Sequence, residues 1–540
     1  MTTTSYEVHP AIGIARLGSS TLSTAEGYFI GPEPDGSPPK VYRDSFGFLK
    51  RQAARFRIFN CHRDLCGRLL DAHEATCDEV RMVTWTVHLA NRKGIARRQY
   101  GSGPGFRNRA TNDPESDSPL VIDPGYRSVG AEGERQVFDS GKFRSTCVTL
   151  GEIIMEPDHR LRVLGGYGRS GSDPQQPRLT LADGHFADNN DWFDDTSDGS
   201  VLATIELHDG TIIESQAWVI VGPPDYAPGV TNLVTLYDLL FDLGVRRGLL
   251  EAPADSHNPM SFTQCVRPIL ERALGYRWVN RYANFGESGA PPGQGFGTGD
   301  PLSFWLAMAD PSSASAALRE RVVGRLRNPD PRVPPTEVDP WKLMPRITDS
   351  IWRRTDPGNV LPLTPTQYKV MRRWAKGDFV NDFGRTNLAN EPLPNALDRY
   401  ALEACVGGPL YPGIEAGSSV LTDASRFISG EPFRLSHSSV RPGEVTQSNA
   451  LPWQADFLVC RWEENQGVVP RRLGWWPAQR PDDVFPVVDA TAMVPWDRGV
   501  GDDFQDMVNK WDRLGVVVDV GTSGNLFLVE TERDIGEIGP

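Results

Sequence analysis

The spacing of apolar and polar positions changes period once along the chain, and that change divides the molecule. Val83-Thr84-Trp85-Thr86-Val87-His88-Leu89 alternates large apolar with polar side chains, as a strand with one buried face does. Arg162-Val163-Leu164-Gly165-Gly166 is a shorter strand ending in a glycine turn. Thr204 to Ile213 reads as a hairpin with Asp209-Gly210 at its tip, a dipeptide that accepts the backbone of a tight hairpin turn. From Val234 the spacing becomes helical: Leu236, Leu239, Leu240 and Val245 share a face of a segment ending at Leu250, and Val266, Ile269 and Leu270 repeat the pattern between Phe262 and Leu274. Glu251-Ala252-Pro253-Ala254-Asp255 interrupts the periodicity between them. The expected architecture is mixed α+β, with a β-rich N-terminal domain over residues 1–255 and a mixed, more helical C-terminal domain over residues 256–540. Gly286 to Pro301 and Asn328 to Pro340 are rich in Gly and Pro and are expected to be surface loops.

A chain of 540 residues fits two such units, since single cores stop growing at about 250–300 residues. Its 39% hydrophobic and 23% charged residues are ordinary for a globular protein. A net charge of −14 disfavours nucleic acid and anionic membranes, which attract clustered Lys and Arg. Met1-Thr2-Thr3-Thr4-Ser5-Tyr6-Glu7 carries no basic or apolar leader region, so a cytoplasmic location is expected. Seven irregularly spaced cysteines argue against a disulfide framework, and most of them are expected to be buried thiols.

Three local signals carry less than their form promises. Gly166-Tyr167-Gly168-Arg169-Ser170-Gly171 matches a dinucleotide fingerprint, but Ser172-Asp173-Pro174-Gln175-Gln176-Pro177 cannot open the helix that fingerprint requires. Asp188 to Gly199 is dense in oxygen ligands, yet a calcium loop counted from Asp194 places Ile205 where a bidentate Glu belongs, so a solvated acidic turn is expected. Cys61, His62, Cys66, His73 and Cys77 form a Cys/His cluster without zinc-ligand spacing, and no metal site is assigned. Serine-nucleophile elbows and phosphate-binding lysine loops do not occur.

The densest chemistry lies near the C-terminus, in Pro452-Trp453-Gln454-Ala455-Asp456-Phe457-Leu458-Val459-Cys460 and Gly474-Trp475-Trp476-Pro477-Ala478-Gln479-Arg480-Pro481-Asp482. A four-residue separation puts Asp456 and Cys460 on one face of either a helix or a strand. They would be adjacent in a helix and roughly 13 Å apart in a strand. The apolar residues between them imply burial, which raises a carboxyl pKa toward general-base duty. An indole oxygenated twice becomes an ortho-quinone that captures an amine and accepts two electrons, and a cysteine thioether would fix it in place.

With Val8 to Gly18, Phe29 to Glu33, Arg51 to Arg57, Trp85 to Asn91, Asn190 to Gly199 and Gly407 to Glu415, these motifs make the chain resemble the family of L-lysine ε-oxidase and its glycine oxidase relatives, which carry cysteine tryptophylquinone. The resemblance implies that Cys460 supplies the thioether, that Asp456 serves cofactor formation and then acts as base, and that Trp476 or Trp475 becomes the quinone. Only one of the two can meet Cys460, because successive side chains of an extended segment face opposite ways; the choice stays open, with Trp476 preferred. Cys405 is the competing thiol but has no carboxylate four residues before it. The implied reaction is oxidative deamination of a primary amine or amino acid. The amine would form a Schiff base on the quinone and Asp456 would take the α-proton. Hydrolysis would release an aldehyde or keto acid, and dioxygen would restore the quinone with release of hydrogen peroxide and ammonia. A flavoprotein monooxygenase as maturation partner and a homo-oligomeric state are implied as well. The chain departs from its larger relatives in two ways. Only fifteen or sixteen residues separate Cys460 from the tryptophan pair, and His437 is the last histidine.

Overall fold

The computed structural model describes residues 3–34, 38–64, 69–97, 105–108, 118–172, 188–256, 259–281, 283, 301–333, 343–347, 361–385, 391–407, 415–416, 421–457, 475–488, 490, 492–500, 504–521 and 526–534. Twelve strands form the main sheet: β1 (Thr3–His9), β2 (Ile12–Arg16), β3 (Tyr28–Ile30), β4 (Arg51–Arg63), β5 (Leu69–Glu74), β6 (Val80–Ala90), β7 (Arg127–Val129), β8 (Arg135–Val137), β9 (Gly151–Met155), β10 (Leu161–Gly165), β11 (Ser197–Leu207) and β12 (Ile212–Gly222). Their order is β7-β6-β11-β12-β2-β4-β10-β9-β8, with β1, β3 and β5 also paired to β4. The two ends of this path meet, Arg127 Nε donating to the Val137 carbonyl at 2.9 Å, so the sheet curls into a nearly closed barrel.

The alternation read in the sequence is what builds it. Val83, Trp85, Val87 and Leu89 of β6 are fully buried on one face, while Thr84, Thr86 and His88 are half-buried on the other. β11 and β12 pair from Ser197↔Val221 to Glu206↔Ile212, and Gly210 takes φ +85° at the hairpin tip. The helices follow as α1 (Leu236–Arg246), α2 (Arg267–Gly275), α3 (Pro301–Met308), α4 (Ala316–Val323), α5 (Pro365–Ala375), α6 (Leu393–Glu403) and α7 (Phe504–Lys510). α1 opens with a capping box between Thr235 and Asp238. It stops before Leu250 because Gly248, at φ +72°, returns its N–H to the Val245 carbonyl. The second helical segment begins with a π turn over Phe262–Val266, then continues as α2. Of the two expected loops, Pro301 already belongs to α3 and residues 328–333 are turns, while 284–300 and 334–342 lie outside the described residues.

Two buried ionic contacts tie later segments to the sheet. The His9 imidazole donates to Asp398 of α6 at 3.0 Å, and Asp398 also accepts the Ala11 N–H at 2.6 Å. Burial alone would lower the His9 pKa, but the charge and hydrogen bond of Asp398, with Cys61 and Glu7, raise it to about 10. The second contact pairs Lys93 with Asp194 at 2.7 Å, both side chains completely excluded from solvent. Asp194 also accepts from Asn91 Nδ2 at 2.9 Å, Thr196 Oγ1 at 2.8 Å and the Trp453 N–H at 3.0 Å.

The acidic segment is therefore no solvated turn. Asp194, Asp195 and Asp198 are each at most 1% exposed. Asp198 accepts the Trp218 indole N–H and the Thr446 N–H and hydroxyl, so its oxygens are spent on protein donors. The Cys/His cluster also disperses. His62 meets Thr4 and His73 meets Glu79, while Cys77 is exposed and Cys66 lies outside the described residues. Cys61 is buried with Glu7 and His9, close enough for three potential metal ligands, but Glu7 is engaged by Arg63 and His9 by Asp398.

Removing Asp194 strands a buried lysine, and breaking a buried pair costs about 3–5 kcal/mol. Asp194→Ala is expected to lower the denaturant midpoint accordingly and to accelerate amide exchange at Trp453. The charged His9 gives a pH prediction. Its folded pKa of about 10 exceeds an unfolded value of about 6.5, so its stabilisation is complete below the lower value and fades as pH rises through the upper one. Urea midpoints should fall between pH 6 and 10 in the parent protein, and the slope should flatten in Asp398→Asn.

Candidate functional site

The segment carrying Asp456 is held by groups from the first half of the chain. Arg107, buried and paired with Asp188, donates to the Asn449 carbonyl at 2.9 Å. Lys93 donates to the Ala450 carbonyl at 2.8 Å and Asn189 Nδ2 to the Leu451 carbonyl at 2.9 Å. Gln454 then donates to the Gly168 carbonyl at 3.1 Å and accepts from the Ser170 hydroxyl at 2.7 Å. The glycine-rich run that imitates a nucleotide fingerprint is thus a cradle for this turn. Gly168 sits at φ +72°, and a Cβ there would lie 2.1 Å from the Trp511 ring.

The chain enters a helical turn at Ala455-Asp456-Phe457, with the Ala455 N–H on the Pro452 carbonyl at 3.0 Å and the Phe457 N–H on Gln454 at 3.1 Å. Of the two conformations compatible with the sequence, helix is the one adopted at Asp456. Cys460 lies outside the described residues. Around the turn is an aromatic cluster: Phe457 meets the rings of Trp453, Tyr226 and Trp496 edge-on at 5.2, 5.9 and 5.9 Å, and Trp453 meets Trp511 at 5.1 Å.

In these surroundings Asp456 is 2% exposed, and neither carboxylate oxygen has a hydrogen-bond partner among the described residues. Burial pushes its pKa up to about 7, against the opposing pull of Arg480, Lys93 and the Trp476 indole. Trp476 lies beside the carboxylate without meeting hydrogen-bond geometry, and its own buried Nε1 is likewise unpartnered among the described residues. The fit to a modified indole is good on this count: a buried carboxylate and a buried indole N–H adjoin with their polar atoms unspent.

The two tryptophans have different neighbours. Trp475 stacks on Tyr276 with centroids 5.0 Å apart, and its backbone N–H donates to the Arg346 carbonyl at 2.8 Å, while its buried indole Nε1 is also unpartnered among the described residues. It also walls an apolar cavity of about 490 Å³ with Ile269, Ala273, Met308 and Met371. Trp476 instead carries the Arg480 guanidinium over its ring at 4.2 Å from the centroid. Asn232 fixes the chain just beyond, accepting the Ala478 N–H at 2.9 Å and donating to Gln479 Oε1 at 2.7 Å. Cys405 belongs to a different core cluster, with Ile12, Ile14 and Trp218, and burial together with Glu415 holds its thiol pKa well above the ordinary value. His437 Nε2 donates to the Ala217 carbonyl at 2.9 Å beside Trp218, which belongs to the same separate cluster as Cys405.

Lys93, Tyr226 and Arg480 were not singled out from the sequence, and Asp194 was read there only as part of an acidic turn. Arg480 stood inside a quoted motif, but Lys93 and Tyr226 signal their part only through contacts between distant segments.

Two sequence-family descriptions and several known proteins match this chain. A sequence model described as L-Lysine epsilon oxidase N-terminal matches residues 9–221, and one described as L-lysine epsilon oxidase C-terminal domain matches residues 346–476. L-lysine 6-oxidase of Marinomonas mediterranea is 26% identical over 98% of this chain and 89% of its own. The solved Schiff base intermediate of L-Lys epsilon-oxidase from Marinomonas mediterranea with L-Lys superposes with a TM-score of 0.75 at 24% identity, covering 98% of this chain and 95% of that one. The epsilon-lysine oxidase structure from the same organism gives a TM-score of 0.76 at 22% identity with the same coverage. The two matched stretches together span more than half of the chain, which therefore belongs to the L-lysine epsilon oxidase family of oxidoreductases.

Proposed function

We propose that this chain is an amine or amino-acid oxidase in which Asp456 is the catalytic base and Trp476, linked to Cys460, is the residue converted to cysteine tryptophylquinone. One observation carries the reading: a fully buried carboxylate with no hydrogen-bond partner among the described residues lies beside an indole whose N–H is equally unspent. Leaving buried polar groups unpaired is costly, and such a cost is retained where the groups are needed for chemistry. Trp475 is the less suited of the pair, because its ring is committed to Tyr276 and to the apolar cavity.

Once formed, the quinone supplies a carbonyl that captures a primary amine and accepts two electrons. Asp456 takes the proton from the substrate carbon bearing the amine, as its C–H electron pair leaves that carbon. A pKa near 7 suits a base working close to neutrality, strong enough to accept the proton yet substantially ionised. The aromatic cluster around Phe457 excludes water, which strengthens the influence of Arg480 and Lys93 on the charge of Asp456. Overall, amine, dioxygen and water give an aldehyde or keto acid, ammonia and hydrogen peroxide. A separate flavoprotein monooxygenase, as the family resemblance implies, is proposed to mature it. The named substrate of the relative, lysine, makes L-lysine the first amine to try, followed by other amino acids. The boundary near residue 255 is proposed as the seam between the β scaffold and the part bearing the site, and the working form is proposed to be a homo-oligomer.

Mass spectrometry of protease digests, from protein co-expressed with its genomic neighbours, should show a peptide joining Cys460 to Trp476 with two added oxygens. Peroxide should appear with at least one amine. Unmodified Cys460 and Trp476 peptides under these conditions would overturn the quinone reading in favour of a relative that uses the fold without it. For Asp456 the pH dependence has a definite sign. kcat/KM should rise with pH through about 7 as the carboxylate ionises. Asp456→Asn should lose about 10²–10⁴-fold in rate. Because the folded pKa lies above the unfolded one of about 3.9, the carboxylate costs stability increasingly as pH rises between them. Asp456→Asn should then be more resistant to urea than the parent at pH 8 and equal to it at pH 3. Equal midpoints at pH 8 would contradict the buried, unpartnered carboxylate.

A further inference from the structure

The chain after the tryptophan pair turns back on itself, the Arg480 N–H donating to the Pro477 carbonyl at 3.1 Å. This turn lays the guanidinium plane of Arg480 over Trp476 at 4.2 Å from the ring centroid. Arg480 is 2% and Trp476 5% exposed, so the contact is shielded from water, where a cation over an aromatic face is held most strongly. The same cation is the largest charged influence on Asp456. Arg480 therefore covers the face of the Trp476 ring while the indole N–H of that ring adjoins Asp456.

We propose that Arg480 is a positioning residue of this site: its guanidinium fixes the plane of the Trp476 ring against Asp456 and stabilises negative charge that forms on either of them. The charged groups around Asp456 come from two directions. Arg480 lies on the segment that follows the tryptophan pair, and Lys93 lies in the first half of the chain. Lys93 is bound by Asp194 at 2.7 Å, and of the two cations Arg480 has the larger influence on Asp456. A lysine at 480 would keep the charge and lose the planar face that covers the ring. The part of the inference that concerns the ring during turnover rests on the oxidase reading, since it is there that the substrate's electron pair enters the ring while its proton goes to Asp456. The part that concerns Asp456 does not.

The test compares Arg480→Met and Arg480→Gln, both neutral, with Arg480→Lys. Asp456 is titrated by infrared difference spectroscopy of its carboxyl stretch, assigned by subtracting Asp456→Asn, in protein made without a maturation partner. Both neutral variants should raise the Asp456 midpoint by about one pH unit, a tenfold gain in proton affinity, while Arg480→Lys stays near the parent. In matured enzyme the rising limb of kcat/KM should move by the same amount. A midpoint unmoved in the neutral variants, or moved as far in Arg480→Lys, overturns the proposal, because a merely structural arginine would change yield and stability without moving the titration. Two neutral variants are used so that poor folding of one leaves the other to decide. A shifted midpoint in a protein that never releases peroxide would leave this inference standing and sink the oxidase reading.

Discussion

The arrangement rests on one buried ion pair, Lys93 with Asp194. Removing both charges from water costs several kcal/mol per ion, and such a pair holds only when the remaining lone pairs and protons are satisfied. Here they are: Asp194 takes donors from Lys93, Asn91, Thr196 and the Trp453 backbone, and Lys93 donates onward to the Ala450 carbonyl. Two of these bonds reach residues more than 250 positions away, so satisfying the pair also fixes the path of the chain into Asp456. A hydrophobic pair of the same volume would serve the core equally well but would leave the Trp453 N–H and the Ala450 carbonyl without partners.

Asp194 and Asp456 show what one scaffold does with two buried carboxylates. Asp194 is surrounded by donors, which pay for its charge. Asp456 sits one helical turn beyond the anchored residues with no donor of its own among the described residues, and burial drives its pKa up to about 7. The difference lies in where the donors are: the β-rich half supplies them up to Trp453, and the aromatic cluster takes over at Phe457. Asp195, with one oxygen unpartnered and its pKa also raised to about 7 by burial, shows that the same scaffold tolerates a second unsatisfied acid close to the pair.

The parts of the fold that were legible in the sequence are those governed by local rules. β6, the β11–β12 hairpin and α1 follow from periodicity, a turn dipeptide and a capping box, each contained within a dozen or so residues. The acidic run at 188–199 was misread because its composition matches a solvated turn, and only partners far along the chain, such as Lys93 and Thr446, make burial affordable to it. The glycine run at 166–171 was read as unsuited to a nucleotide loop, and its use as a cradle for Gln454 depends on a contact nearly 290 residues away. At the site, Asp456 and the tryptophan pair were legible because family resemblance singled them out. Arg480 was not, since nothing local distinguishes an arginine that covers a ring from one that faces solvent.

The adjacent tryptophans draw the argument together. They are chemically identical and consecutive, so sequence offers no preference beyond the alternation of an extended segment. What separates them is the company each keeps. Trp475 stacks on Tyr276 and walls a mostly apolar cavity that Arg277, Arg321 and Arg325 also line. Trp476 has a guanidinium over its face and a carboxylate near its indole N–H, polar atoms to meet polar products of oxidation. Oxygenation converts an electron-rich ring into an electron-poor one bearing two carbonyls, and at Trp476 a guanidinium on the ring face and a carboxylate near the indole N–H stand in place to follow the change. The asymmetry is imposed by the turn at Pro477 to Arg480, which Asn232 clamps from the first half of the chain, so the choice between two identical side chains is made by contacts outside both of them.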